Sequence, residues 1–132
     1  MRNPVSKQTS PVSDEQAKQI AEMSDRFRLN FCVPCFGPRV VPGHFVCTAG
    51  IAALPPETQI SIWAEVADFD DFTEDNDPHG EHDFGAFDMA GAGKVLWKID
   101  YYADKSCSDG SEHPADPAKT FCALTIMLAS EY

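Results

Sequence analysis

The chain predicts an α+β domain in which two helices cover one face of a small, mostly antiparallel sheet of about four strands. Three observations predict it. Two segments repeat apolar residues at helical spacing, around Ile20, Met23 and Phe27 and again around Ile60, Trp63 and Val66. Four other segments are short, apolar and alternating or β-branched, and Gly91 and Gly93 join two of them in the manner of a hairpin. At 132 residues, 43% hydrophobic and 11% aromatic, the chain can bury a core without disulfide or metal staples.

Residues 1–12, polar and broken by Pro4 and Pro11, are expected to form a disordered tail, leaving 13–132 as a single domain. Ser13 with Gln16 fits a capping box, and Asp14 and Glu15 suit the positive end of a helix dipole, so the first helix is expected from Ser13 to about Asn30. Pro34, Gly37, Pro38, Pro42 and Gly43 then interrupt regular structure. Residues 44–48 read as a short strand. Pro55 and Pro56 suit the first turn of a second helix, whose apolar face is expected to carry Ile60, Trp63, Val66 or Ala67, and Phe69. Residues 84–89 and 94–102 read as paired strands, with Val95, Trp97, Ile99 and Tyr101 on one face and Leu96, Lys98, Asp100 and Tyr102 on the other. Residues 104–119 form a polar loop. Residues 120–129 alternate through Leu124, Ile126 and Leu128 and read as a final strand, with a buried helix as the competing reading.

Charge narrows the function. The net charge is −11, from 21 acidic against 10 basic residues, which disfavours direct binding to nucleic-acid phosphates and favours basic protein partners; the bland alternative is that acidity only maintains solubility. No apolar run reaches membrane-spanning length and the first 16 residues lack a signal-like apolar region, so a cytoplasmic location is expected, with the five cysteines as thiols or metal ligands.

The densest feature is the segment 68–88, which packs Asp70, Asp71, Glu74, Asp75, Asp77, Glu81 and Asp83 around His79 and His82. Carboxylates so crowded repel unless cations, amides or a basic partner compensate them. Three runs, FDDFTEDNDPHGEHDFG (69–85), WKIDYY (97–102) and LTIMLASEY (124–132), resemble a bacterial family of domains of unknown function, the 3768 family, frequent in alphaproteobacteria and their plasmids. The resemblance extends from Asp25 to the last residue and implies relatives without implying an activity.

Four chemistries fit the residues. Aligned on Asp75, an EF-hand template finds Asp77, His79, Gly80 and Asp83 at usable positions, but Ala86 stands where the bidentate carboxylate is required; what remains is a looser divalent-cation site at Asp75, Asp77 and Asp83. The same residues also suit Asx-turns that only build a loop. Cys32, Cys35, His44 and Cys47, spaced C-x₂-C-x₈-H-x₂-C, are candidate ligands of a structural zinc, whereas Cys122 reads as a small buried hydrophobe. His79, His82 and Asp83 are the candidate catalytic residues, although no nucleophile motif or phosphate-binding glycine loop accompanies them, and a hydrolase would need Asp100 or Glu131 to converge on the loop. Finally, Asp71, Glu74, Asp75, Asp77, His79, Glu81, His82 and Asp83, flanked by Phe69, Phe72, Phe84, Phe87, Tyr101 and Tyr102, are the candidate binding surface for a basic protein, including one that normally holds nucleic acid. The leading expectation is a non-enzymatic binding or regulatory domain that meets a basic surface or a divalent ion with this loop. A metal-dependent hydrolase or nuclease built on the same loop is the alternative.

Overall fold

Helix α1 spans Pro11–Leu29 in a computed structural model that describes residues 11–29 and 41–132. It starts two residues earlier than the capping box predicts, since Pro at a first helical position is pre-set in φ and gives up no hydrogen bond. Its inward stripe is Ile20, Met23 and Phe27, each at most 3% exposed, as the spacing predicts. Ser24 and Arg28 share that stripe and are buried too.

After β1 (Gly43–Cys47) comes a short helix that the sequence reading leaves as loop, α2 (Ala49–Ala52), whose Ile51 is fully buried. Gln59 then ties it to the next helix, its side-chain amide donating to the carbonyls of Ala52 (3.1 Å) and Leu54 (2.8 Å). Helix α3 (Pro56–Asp68) buries Ile62, Val66 and Ala67 and half-buries Trp63. Ile60, expected on the apolar face, is 70% exposed. The helical repeat explains the correction, because two residues is about 200° of rotation and a stripe centred on Ile62 points Ile60 at water.

Strands β2 (Phe84–Met89), β3 (Gly93–Tyr102) and β4 (Phe121–Leu128) complete the sheet, in the order β1-β4-β3-β2. β4 is thereby a strand and not the competing helix. β3 runs antiparallel to both neighbours and β1 runs parallel to β4, so the sheet is mostly antiparallel and the fold is α+β. The β2–β3 hairpin turns through a bond from the Ala92 amide to the Met89 carbonyl, with Gly91 at φ +86°, the left-handed conformation that a type II turn requires at that position.

Strand alternation sorts the two faces. Val95, Trp97, Ile99, Cys122, Leu124 and Ile126 point to the helices and form one core with Met23, Phe27, Ile51, Ile62 and Val66. At 0% exposed, Trp97 sits at its centre, about where burial of one side chain contributes most. Lys98, Asp100, Thr125 and Phe84 share the opposite face, by register. A 3₁₀ turn (Ala129–Glu131) follows β4 and is stapled back by the Glu131 carboxylate, which accepts from the Thr48 hydroxyl and the amides of Gly50 and Leu128.

Candidate functional site

The acidic segment leaves the C-terminus of α3, where the helix ends with Asp68 and has no basic residue in its own last turn. A helix C-terminus carries partial negative charge, so acids there are unfavourable without a cation. Arg28 of α1 supplies it. Its Nη1 donates to the carbonyls of Val66 (2.7 Å) and Phe69 (2.9 Å), and its Nη2 to Asp25 Oδ1 (2.6 Å). The guanidinium lies over the rings of Trp97 (4.9 Å) and Phe72 (5.3 Å), which accounts for a buried cation whose Nε has no hydrogen-bond partner among the described residues.

Asp25 carries the connection onward. Both its oxygens lie 3.0 Å from Nδ1 of His82, and the His82 ring stacks flat on Phe72, centroids 4.0 Å apart. Phe72 thus meets Arg28 and His82, and the start of the loop is clasped to its end. His82 has φ +56°, uncommon for a residue other than glycine. The conformation is held from both ends, since the His82 amide donates to the Asp77 carboxylate (3.2 Å) while the ring holds Asp25.

Between these points the loop builds itself. The Asp77 amide donates to the Thr73 carbonyl (2.8 Å), and the Asn76 side chain accepts from the Thr73 amide (2.8 Å) and donates to the Asp71 carbonyl (2.9 Å). Asp77 is 8% exposed, and its carboxylate is occupied by the amides of Glu81 (3.1 Å) and His82. Burial, then the neighbouring Asp83 carboxylate, push the Glu81 carboxyl up to about 7. Burial also raises Asp83, against the hydrogen bond it accepts from the Glu81 carboxyl. Behind them Tyr101 donates or accepts a 2.6 Å bond with buried Ser24, and burial pushes its phenol well above the usual range.

The predicted residues therefore separate into two groups. Asp77, Glu81, His82 and Asp83 face inward or sideways and shape the loop; Asp71, Glu74, Asp75 and His79 are exposed. Among the described residues no three His, Cys, Asp or Glu side chains assemble as a metal would require, so Asp75, Asp77 and Asp83 do not converge. Asp77 is turned onto amides and Asp83 onto Glu81. Of the proposed zinc ligands, Cys32 and Cys35 lie outside the described residues, and alternation along β1 parts the other two: Cys47 packs against the core while His44, one register step from Phe45, lies on the opposite face beside Phe121. Cys122 is fully buried and its thiol is pushed up to about 12 by that burial. Neither Asp100, ion-paired with Lys98 on the far face of the sheet, nor Glu131, held by Thr48, joins the loop. A cleft of about 320 Å³ beside the clasp is lined by Lys18, Glu22, Asp25, His79 and His82, but not by Glu81 or Asp83. A larger concavity of about 750 Å³, between Gln16, Gln19 and His113, contains no residue of the loop.

Sequence reasoning missed Asp25, Arg28 and Ser24, and gave Tyr101 only as a flanking aromatic. The available signal was Ser24 and Arg28 falling inside an apolar helical stripe, where a polar residue needs a partner.

The family described as "Protein of unknown function (DUF3768)" matches residues 47–131, more than half of the chain. The chain belongs to that family. The DUF3768 match takes in the acidic loop, the hairpin, β4 and Glu131, and it begins at Cys47 rather than at Asp25 as the resemblance implied. Asp25 and Arg28, which clasp the loop, therefore lie outside the matched DUF3768 region. No curated protein and no solved structure matches the chain.

Proposed function

We propose that this DUF3768 protein is a non-enzymatic, cytoplasmic binding domain that meets a basic protein surface with the outer rim of the acidic loop. One observation carries the reading: the loop is fixed from within, yet Asp68, Asp70, Asp71, Glu74 and Asp75 are all exposed and none is ion-paired among the described residues. Between Arg39 and Lys94 the sequence contains no Lys or Arg to neutralise them. Held in one shape, such a rim costs little ordering entropy on binding, and its field steers a cationic partner. A metal-dependent hydrolase is less well supported, since its ligand set does not assemble. No helix among the described residues is long and apolar enough to cross a membrane, and Cys47, Cys107 and Cys122 are free thiols, which suits a reducing compartment.

The test is affinity capture of a basic protein from a bacterial host, followed by titration of the purified pair at low and high salt. Affinity is expected to fall by about tenfold or more between 50 and 300 mM salt, and the amide variant of all five rim carboxylates is expected to lose binding. Affinity indifferent to salt would overturn the reading. Competition by duplex DNA for the captured protein would identify it as a nucleic-acid binder and the rim as a charge mimic.

A further inference from the structure

Strand β2 is the last in the sheet, paired to β3 on one side and to no strand on the other among the described residues. In an antiparallel ladder alternate peptide units face the partner, so the remaining units of β2 point away from the sheet, with no backbone partner among the described residues. Proteins usually blunt such an edge with Pro, Lys, a bulge or a short length. β2 reads Phe-Gly-Ala-Phe-Asp-Met, contains neither Pro nor Lys, and pairs with β3 over six consecutive residues without a bulge. Its only charge is Asp88.

The acidic rim flanks this edge. Phe69, between Asp68 and Asp70, packs so closely on Gly85 of β2 that a Cβ there would come within 2.9 Å of its ring. A second copy of this chain is a poor occupant, because it brings a net charge of −11 to an edge already flanked by acidic residues. A basic strand has no such penalty. Alternation of the added strand would turn every second side chain toward the helices and the rim, and the others toward the far face, where Phe84 and Ala86 are half-buried.

We propose that the free edge of β2 takes an extended basic segment of a partner protein as an additional strand, with basic side chains on the rim side and apolar ones against Phe84 and Ala86. The inference rests on the reading that the rim meets a basic partner and adds how the two join: main-chain bonds give affinity and the alternating side chains give selection.

The experiment titrates the isotope-labelled full chain with a capped peptide of about eight residues alternating Lys and Val, a strand's usual length. Two further peptides carry N-methyl groups on one or the other set of alternate residues; one of them must block the bonding edge. The expected result is new exchange protection at alternate amides within Phe84–Met89, with one N-methylated peptide binding about tenfold weaker than the other. Should all three peptides bind alike, with shifts confined to residues 68–77, strand addition is overturned while the acidic-rim reading stands. Should none bind at low salt, both fall.

Discussion

Two residues at the acidic loop, one within it and one beneath it on α1, make opposite demands on the solvent. Glu81 is a carboxyl whose folded pKa, about 7, stands above its ordinary 4.5, because burial and Asp83 disfavour its ionised form. Between those values the folded chain binds more protons than the unfolded one, so stability is greatest below the window, declines as pH rises through it, and levels off above. The groups facing Glu81 are Asp83, Asp77 and His79, of which only His79 opposes the rise. Glu81→Gln keeps a donor for Asp83 without a charge, so at pH 8 it is expected to be more stable than the parent by about 1 kcal/mol, after allowance for solvent screening, and to match it at pH 4.5. Urea unfolding at the two pH values checks this; a parent and variant that differ equally at both would refute it. Arg28 is the contrary case, a cation that must stay buried. Arg28→Ala strands three groups, the Val66 and Phe69 carbonyls and Asp25, and is expected to cost about 3–5 kcal/mol. Arg28→Lys keeps the charge but loses the fork and the stacking on Trp97, costing about 2 kcal/mol in the same assay.

At the scale of elements, the β2–loop junction is set by a residue with no side chain. A Cβ on Gly85 would be driven into the Trp97 indole and against Phe69, both committed to the core, so Gly85→Ala is expected to destabilise by about 2 kcal/mol and lower the thermal midpoint accordingly. A variant with an unchanged midpoint would mean that the loop gives way without cost. The elements themselves were largely legible from the sequence, because the signals that define them are local: the hairpin glycines, the alternation of Val95, Trp97 and Ile99, and the stripe of Ile20, Met23 and Phe27. Phase was less legible. In α3 the apolar residues are dense enough for two registers, and only packing against the sheet chose Ile62 over Ile60. The clasp was illegible for a different reason. Asp25 and His82 are 57 residues apart, and nothing in a local pattern records which distant carboxylate a histidine will face. The parting of His44 from Cys47 was legible by contrast, since residues 44–48 already read as a strand and positions three apart on a strand face opposite ways.

For the whole molecule, the balance of charge sets a trade between stability and binding. A net charge of −11 destabilises the compact state through self-repulsion, and the rim concentrates that cost in carboxylates of which none is ion-paired among the described residues. Carboxylates with a folding role would behave differently: Asp77, which caps two amides, should cost about 1–2 kcal/mol as Asp77→Ala, with exchange rising first at Glu81 and His82. The rim carboxylates make no such bonds among the described residues. Converting Asp68, Asp70, Asp71, Glu74 and Asp75 together to their amides is therefore expected to raise stability, by roughly 1 kcal/mol at low ionic strength, with Asp68 contributing through relief of the α3 dipole. Added salt should produce the same gain in the parent and little in the variant, since screening and neutralisation remove the same repulsion. Thermal unfolding at about 20 and 500 mM salt reads both effects. If the five-fold variant unfolds at a lower temperature than the parent, the rim is part of what holds the loop together, and its charge is retained for folding rather than for a partner.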